Sequence, residues 1–102
     1  DKTSSAKVLK GEASYYANKF QGRRTANGEK YDKKKLTAAH KTLKFDTRVE
    51  VLNLKNNKKV IVRINDRLPA SSKREIDLSR AAAEKIDMIQ AGVVPVQIRI
   101  LE

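Results

Sequence analysis

The sequence predicts a mainly β domain in which the strands close into a small barrel with one helix packed against its side. The first observation is that the apolar residues come in short runs, many alternating or β-branched, separated by polar loops. The second is that only residues 80–91 have the spacing of an amphipathic helix. The third is the length of 102 residues, which suits a single core, because a chain of this size buries roughly 60–70% of its unfolded surface. Closing about five or six strands into a barrel also leaves no exposed sheet edge.

The strand predictions depend on alternation and on the turn residues between the apolar runs. The clearest pair is 49–54 and 59–65, whose short Lys-Asn-Asn-Lys connection is typical of a hairpin. Residues 94–100 alternate between apolar and other side chains, which indicates a half-buried strand. Residues 13–16 are a further short candidate, whereas 36–40 fits either a strand or a helical turn.

The helix prediction for 80–91 depends on the residues at its two ends. Ser79 is a suitable N-cap, because its hydroxyl can accept an otherwise unpaired main-chain N–H. Gly92 stands where a left-handed residue is favoured at a helix C terminus. At the other end of the chain, residues 1–10 are mostly small or polar and are predicted to be a flexible leader, so the barrel domain is assigned to 11–102.

The composition limits the kinds of molecule that the chain is expected to bind. The net charge is +11, from 23 basic and 12 acidic residues, so the chain is attracted to polyanions. We nevertheless expect no nucleic-acid binding, because no reading motif is present and aromatic residues make up only 5% of the chain. No segment approaches the ~20 apolar residues of a transmembrane helix. There is no cysteine, and the single histidine, His40, excludes a zinc site with three histidine ligands, so we expect neither a metal nor another cofactor.

Asp66 ends the most apolar strand and is the first candidate for a catalytic acid. In an extended run, alternate residues point to the same face, so Asp66 is predicted to share a face with Val62 and Ile64. A carboxyl group that is half buried at the mouth of the barrel would keep its proton near neutral pH, as glycosidic-bond cleavage requires. A turn aspartate that closes the strand explains the same spacing, and spacing alone favours this simpler interpretation.

The remaining candidates also have structural explanations. His40 fits a hydrogen-bonded buried residue, Glu29 fits a turn residue, and Asp77 fits a residue that supports the start of the helix. Tyr16 and Phe20 fit a core, although aromatic faces also stack on sugar rings in carbohydrate-binding clefts. A Ser-His-Asp triad is disfavoured, because the sequence contains no G-x-S-x-G turn. The residue types alone leave these alternatives open.

Several short motifs follow one another along the chain. They are Gly11-Glu-Ala-Ser-Tyr-Tyr16, Thr25-Ala-Asn-Gly-Glu29, Leu36-Thr-Ala-Ala-His40, Val60-Ile-Val-Arg-Ile-Asn-Asp-Arg67, Ile76-Asp-Leu-Ser79, Ala81-Ala-Ala83 and Pro95-Val96. In this order they resemble the rare lipoprotein A family over about residues 11–100. Each motif alone is weak evidence, but the ordered set is specific.

This resemblance implies a six-stranded double-psi β-barrel with lytic transglycosylase activity on peptidoglycan. Such an enzyme cleaves the bond between N-acetylmuramic acid and N-acetylglucosamine and leaves a 1,6-anhydro end, so one acid that later acts as a base is sufficient. The resemblance implies that Asp66 is this acid, and that His40 tunes it or orients the sugar. It implies that Glu29 supports the polar network or stabilises developing positive charge. It implies no cofactor.

The resemblance also implies that Tyr16, Phe20 and Arg67 hold the sugar. The chain departs from the family after Arg67, where Leu68-Pro69-Ala70 replaces the common Gly-Pro-Phe or Gly-Pro-Tyr. Because leucine does not adopt the positive-φ states of glycine cheaply, we expect the sugar-binding surface to differ there. The implied partner is the glycan strand of peptidoglycan and the implied location is the bacterial cell envelope, in the periplasm, at the outer membrane or secreted. We expect a monomer, and the resemblance leaves open whether the whole protein has a lipid anchor.

Two rival functions fit the same motifs. One is a non-catalytic module of the expansin type that binds or loosens wall glycan. The other is a hydrolase in which Glu29 or Asp32 activates a water molecule. The ends left on a cleaved glycan distinguish these functions from a lytic transglycosylase.

Overall fold

Six β-strands close into a barrel in the computed structural model, which describes residues 7–101. The strands are β1 (Val8–Tyr15), β2 (Thr37–His40), β3 (Arg48–Asn53), β4 (Lys59–Arg67), β5 (Ile76–Leu78) and β6 (Val94–Ile100). The other elements are a 3-10 turn, Asn18–Phe20, and one helix, α1 (Arg80–Lys85). Around the barrel the strands lie in the order β1-β5-β2-β4-β3-β6, which confirms the predicted closed barrel with one helix.

The strand pairings are mixed. The pairs β1–β5 and β2–β4 are parallel, and the four other pairs are antiparallel. Parallel neighbours need long crossover connections, so the two strands of each parallel pair are far apart in sequence, whereas β3 and β4 form a hairpin. This mixed six-stranded closure is the arrangement that the family resemblance predicts, and that prediction is confirmed.

Side chains alternate between the core and the surface along most of β4. Val60, Val62 and Ile64 are at most 6% exposed, whereas Ile61 is 47% exposed. Two other strands contribute inward-facing residues in the same way: Val49, Val51, Val94, Val96 and Ile98. Burying each such side chain contributes about 1.5–3 kcal/mol, so this apolar interior stabilises the frame on which the surface residues are arranged.

The helix is shorter than the predicted 80–91, because α1 ends at Lys85. The N-terminal part of the prediction is confirmed, since the Ser79 hydroxyl accepts a hydrogen bond from the N–H of Ala82. Gly92 does take a left-handed conformation, with φ of 79°. It closes a separate turn, however, in which its N–H donates to the carbonyl of Met88 over 2.9 Å.

The helix ends early because Asp87 is in the left-handed region, with φ of 56°. The N–H of Met88 then donates back to the carbonyl of Ala83 over 3.1 Å, which is the long bond of a Schellman motif. The side chain amide of Asn53 donates to the free carbonyl of Ile86 over 2.9 Å. Ile86 and Met88 are both fully buried, so the chain leaves the helix in order to pack these two side chains into the core.

The first strand begins at Val8, three residues before the predicted start of the barrel at Gly11. Val8 pairs with Arg99 and Leu9 with Ile98 of β6, so main-chain pairing extends into the segment that was expected to be a leader. The small and polar residues before Val8 led to the leader prediction, although Val8 and Leu9 themselves are apolar. Residues 1–6 of the predicted leader lie outside the described residues.

The structure also settles two short segments that the sequence left undecided or assigned differently. Residues 37–40 form a strand, β2, and not a helical turn. Asp77, expected to support the start of the helix, is the middle residue of β5. Ile76 and Leu78 are buried and Asp77 is partly exposed, but an alternation over three residues is too short to predict a strand, and the pairing with β1 and β2 defines β5.

Candidate active site

A β-bulge at Asn65 turns Asp66 away from the apolar row in which the sequence placed it. Ala38 pairs with Ile64, but its neighbour Ala39 pairs with Asp66, so Asn65 is an extra residue on β4. Asp66 therefore shares the outer face of the barrel with Ala39 and not the inner face with Ile64. The prediction from simple alternation is wrong here, because a bulge shifts the side-chain pattern by one residue.

The strand register aligns four side chains in a row across the outer face. Ser14 of β1 is paired with Asp77 of β5, Asp77 with Ala39 of β2, and Ala39 with Asp66 of β4. This row is the floor of a groove of about 330 Å³. The walls include Tyr16, Phe20, Arg67, Leu68 and Arg74. Four of the six predicted site residues thus lie in one groove: Asp66, Tyr16, Phe20 and Arg67.

The Asp66 carboxylate is held by three hydrogen-bond donors. The Tyr16 hydroxyl donates to Oδ2, and the main-chain N–H groups of Ala26 and Arg67 each donate to Oδ1 over 2.8 Å. Burial, with the neighbouring Asp66 as a second cause, raises the pKa of the Tyr16 phenol far above its ordinary value. The phenol therefore stays protonated and remains a donor at any physiological pH, so the orientation of Asp66 is fixed.

Tyr16 is itself fixed by an aromatic cluster. Its ring stacks on Tyr31, with centroids 4.4 Å apart and planes at 11°, and meets Phe20 edge to face at 6.0 Å. Tyr31 is only 2% exposed and forms the rigid backing. Phe20 is flanked by the cationic groups of Lys19 and Arg23 at 5.5 and 5.4 Å from its ring centre. An aromatic wall beside a polar floor suits the apolar face and the hydroxyl edge of a sugar ring.

Arg67 forms the opposite end of the groove. Its Nη1 donates to the carbonyl oxygens of His40 at 3.1 Å and Leu43 at 2.7 Å, and its guanidinium lies 4.6 Å from the centre of the Phe45 ring. The charge is thus held in one place beside Asp66. Leu68, which departs from the family pattern, is 8% exposed and has no positive φ. Leucine therefore fits this wall without backbone strain and makes it more apolar.

His40 lies inside the barrel and not in the groove. It is 1% exposed, and its Nδ1 accepts hydrogen bonds from the N–H groups of Thr42 at 3.1 Å and Leu43 at 3.2 Å. Its Nε2 lies 2.8 Å from Oε2 of Glu75, although that oxygen is off the direction of the ring N–H. Burial lowers the pKa of His40 and outweighs the opposing effect of Glu75. Among the described residues its side chain makes no hydrogen bond to Asp66, which it reaches only through the backbone and Arg67.

Glu29 lies on the other side of Asn65 and faces a different cavity. Its two carboxylate oxygens each accept a 2.9 Å hydrogen bond from Arg63, and Oε1 also accepts one from the Asn65 amide at 3.1 Å. These hydrogen bonds, led by those from Arg63, lower the pKa of Glu29 to about 2. The cavity has a volume of about 600 Å³ and is also lined by Asp32. The side chain of Glu29 is therefore connected to Asp66 through Asn65 and does not contact it directly.

A tight turn before Glu29 brings a main-chain donor to the groove. The N–H of Thr25 donates to the carbonyl of Glu29 over 2.7 Å, and Gly28 takes a φ of 94° that favours glycine. This closed turn presents the N–H of Ala26 to Asp66. The Thr-Ala-Asn-Gly-Glu motif is thus explained by the turn that it forms against β4.

Sequence reasoning missed Ser14 and the groove position of Asp77. The Ser14 hydroxyl donates to Oδ1 of Asp77, and Nε of Arg74 donates to the same oxygen over 3.1 Å. The signal for Ser14 was present, because it follows the apolar Ala13 in a strand and must face outward. A weaker signal existed for Asp77, which stands between the apolar Ile76 and Leu78, but three residues are too few to predict a strand.

Among the described residues, neither a cluster of side chains suited to a metal ion nor a helix suited to span a membrane is present. Between residues 7 and 101, no group of three histidine, aspartate or glutamate side chains could hold a metal ion. Within the same range, no helix has both the length and the apolar character needed to cross a membrane.

Comparison with known proteins decides the family. A family model described as lytic transglycolase matches residues 8–98. A protein of Treponema pallidum, named probable endolytic peptidoglycan transglycosylase RlpA, is 59% identical over 91 residues. The chain belongs to the rare lipoprotein A family. The family resemblance drawn from the motifs is confirmed.

Other rare lipoprotein A relatives match at similar levels. The endolytic peptidoglycan transglycosylase RlpA of Haemophilus influenzae is 55% identical over 94 residues, which cover 92% of this chain and 33% of that protein. The match to the T. pallidum protein covers 89% of this chain and 29% of that protein. The chain therefore spans about a third of the length of the curated relatives it matches.

Solved structures share the fold with this rare lipoprotein A domain at low sequence identity. A Streptomyces papain inhibitor superimposes with a TM-score of 0.76 at 23% identity, covering 94% of this chain and 96% of that one. An expansin of Clavibacter michiganensis superimposes with a TM-score of 0.72 at 18% identity, covering 94% of this chain and 51% of that one. Proteins of different activity use this barrel, so the fold alone does not define a function.

Proposed function

We propose that this domain is a peptidoglycan lytic transglycosylase that cleaves between N-acetylmuramic acid and N-acetylglucosamine, with Asp66 as its acid and base. The main support is the placement of Asp66, which is held by three donors on the floor of an open groove with an aromatic wall. The names of the relatives with 59% and 55% identity support the same reaction.

The reaction needs one group that moves a proton in both directions. Protonated Asp66 donates its proton to the glycosidic oxygen as the bond from that oxygen to C1 of the muramyl sugar breaks. The C6 hydroxyl oxygen of the same sugar then bonds to C1, and its proton passes to the Asp66 carboxylate. The products are a free hydroxyl on one glycan end and a 1,6-anhydro ring on the other. Asp66 is restored, and no water is consumed.

The groove residues position the sugar and the acid for this step. The Tyr16 phenol and the two main-chain donors keep Asp66 in one orientation, which reduces the entropy lost when the reacting atoms meet. Phe20 offers an aromatic face, and the fixed guanidinium of Arg67 offers donors to sugar oxygens. Glu29 and His40 act as positioning residues, the first through Asn65 and the second through Arg67.

The setting of the reaction follows from the substrate. We expect the partner to be the glycan strand of peptidoglycan and the location to be the cell envelope, in the periplasm, at the outer membrane or outside the cell. The net charge of +11 favours adsorption to anionic wall polymers. We expect the domain to act as a monomer.

The deciding experiment is end-group analysis of purified glycan strands by mass spectrometry after incubation with the chain. Anhydro-muramyl ends that form with the wild type and disappear with Asp66→Asn are the expected result. Ordinary reducing ends would indicate a hydrolase, and binding without cleavage would indicate a wall-binding module of the expansin type. Either of these two results overturns the proposal.

A further inference from the structure

We propose that Asp77 is a second catalytic carboxylate, which faces the reacting sugar from the side of the groove opposite Asp66, with the methyl group of Ala39 as the floor between them. This inference rests on the proposed transglycosylase function and assigns one more residue to it. Asp66 transfers the proton, whereas Asp77 stabilises the positive charge that develops on the sugar ring.

The strand register provides the geometry. Ala39 of β2 is paired on one side with Asp66 of β4 and on the other side with Asp77 of β5. Paired residues in neighbouring strands project to the same face of the sheet, so both carboxylates rise from the groove floor. Two strand spacings of ~4.8 Å separate their backbones by about 10 Å. Ala39, the residue between them, is 2% exposed and lies at the bottom of the groove, so no bulky side chain stands between the two carboxylates.

The contacts of Asp77 leave one oxygen available. Ser14 and Arg74 both donate to Oδ1, whereas Oδ2 has no donor within residues 7–101. The side chain is 18% exposed and lines the groove. Because Oδ1 is held by two donors, the carboxylate keeps its orientation and presents Oδ2 to a ligand.

A negative charge at such a position would stabilise the transition state of this reaction. Cleavage of a glycosidic bond passes through an oxocarbenium-like state with positive charge on C1 and the ring oxygen. A carboxylate that is already oriented stabilises this charge without reorganisation, and losing one oriented stabilising group of this kind typically reduces turnover by about 10²–10³-fold. Asp77 takes part in no proton transfer here, so the proton balance of the step is unchanged.

A purely structural role for Asp77 predicts different behaviour. In that case its contacts to Ser14 and Arg74 would only tie β1 to β5 and to the loop before β5. Asp77→Asn separates the two roles, because asparagine keeps an oxygen for both donors but removes the negative charge. A structural residue would then lose little turnover, whereas a catalytic carboxylate would lose most of it.

The test compares two variants of the 102-residue chain, Asp77→Asn and the matched control Glu84→Gln. For each variant, the rate of anhydro-end formation, KM and the melting temperature are measured. Glu84 is an exposed carboxylate on α1 with 58% of its side chain accessible, and it lies outside the groove. We expect Asp77→Asn to lower kcat by about 10²-fold with little change in KM or melting temperature, and Glu84→Gln to match the wild type. Wild-type kcat in Asp77→Asn overturns the inference.

A second variant keeps the inference testable if Asp77→Asn does not fold. Ala39→Val adds two methyl groups to the groove floor between the two carboxylates. Because Ala39 is 2% exposed, the melting temperature is measured beside cleavage, so that a loss from overpacking is recognised. We expect a folded Ala39→Val chain to lose glycan binding and cleavage at least 10-fold, and cleavage at the wild-type rate overturns the inference. If the wild type itself forms no anhydro ends, the proposed function has failed. If it forms them and Asp77→Asn does so equally well, only the role of Asp77 has failed.

Discussion

Two carboxylates lie on either side of Asn65: Asp66 follows it in β4, and Glu29 accepts a hydrogen bond from its amide. The hydrogen-bond donors of these two carboxylates differ in charge. Glu29 is paired with the guanidinium of Arg63 through both oxygens, which holds its pKa at about 2. Asp66 is held by a phenol and by two main-chain N–H groups, all of them neutral donors. A carboxylate bound to a cation is fixed in its charged form and serves as an anchor. A carboxylate held only by neutral donors in an open groove is the better candidate for proton transfer.

The strongest test of this contrast is Asp66→Asn. Because a general acid contributes about 10²–10⁴-fold to rate, we expect formation of anhydro ends to fall by that factor. Asparagine still accepts the main-chain hydrogen bonds at one oxygen, so the melting temperature should change little. The matched control is Asp87→Asn, since the Asp87 side chain is 73% exposed and asparagine tolerates its left-handed backbone. Loss of the fold in Asp66→Asn alone would show that Asp66 is structural.

The Tyr16→Phe variant tests whether the hydrogen bond from the neutral Tyr16 hydroxyl contributes to proton transfer by Asp66. The change keeps the ring stacked on Tyr31 but removes the hydroxyl from the carboxylate. A hydrogen bond to a charged group is worth about 1.5–3 kcal/mol, so we expect kcat to fall by about 10- to 100-fold. Tyr31→Phe is the control, because that hydroxyl contacts the N–H of Arg80 and not Asp66. Equal losses in the two variants would contradict a specific role for the Tyr16 hydroxyl.

The pH dependence of stability tests whether His40 belongs to the scaffold. Burial lowers its pKa below the ordinary value of 6.5, so the unfolded chain binds more protons than the folded chain just below that pH. The free energy of unfolding should therefore be unaffected by His40 above about pH 6.5. It should then decrease as the pH falls, by at most about 1.4 kcal/mol per pH unit. Chemical denaturation at several pH values measures this slope, which His40→Gln should lack. An equal slope in that variant would assign the effect to other groups.

The smallest expected effect is that of Glu29→Gln. The Glu29 side chain is 41% exposed, so loss of its pairing with Arg63 should destabilise the fold by about 0.5–1 kcal/mol. Kcat should fall by less than about 10-fold, because the Glu29 side chain acts on Asp66 indirectly, through Asn65, and the main-chain turn that holds Ala26 is kept. Asp46→Asn is the control, since Asp46 also pairs with Arg63 but does not contact Asn65. A loss in Glu29→Gln as large as that in Asp66→Asn would place Glu29 in the chemistry and remove the contrast.

The depressed pKa of Glu29 adds a test in acid. Its folded value of about 2 lies below the ordinary 4.5, so its stabilising effect is complete above about pH 4.5 and is lost as the pH falls towards 2. Glu29→Gln should consequently flatten the acid side of the stability profile over this window. An unchanged profile would show that the ion pair with Arg63 is too exposed to matter.

The sequence predicted the long, regular parts of the fold and missed the irregular ones. The alternation of Val60, Val62 and Ile64 correctly gave the inner face of β4, since each residue follows the same local rule. The bulge at Asn65 breaks that rule through contacts with β2 and with Glu29, which are far away in sequence. The helix end and β5 were missed for the same reason, because tertiary packing and strand pairing determine them.

The candidate site was likewise predicted in part and missed in part. Family motifs placed Asp66, Tyr16, Phe20 and Arg67, and the structure brings these four residues to one groove. The same motifs also placed His40 and Glu29, but they could not show that these side chains face the interior and a second cavity. Which face a residue occupies depends on register, and register is a property of paired strands.

The order of strands around the barrel also has a consequence for how the chain reaches its native state. Among the described strands, β1 is paired with β5 and β6, so it has no partner within this domain until β5 has been synthesised. Such distant pairings slow folding, because a large loop must close before any contact forms. A nascent or truncated chain that stops before Val94 lacks β6, and β1 and β3 then become open edges able to recruit strands from other molecules. The seven residues of β6 therefore keep the edges of both β1 and β3 covered.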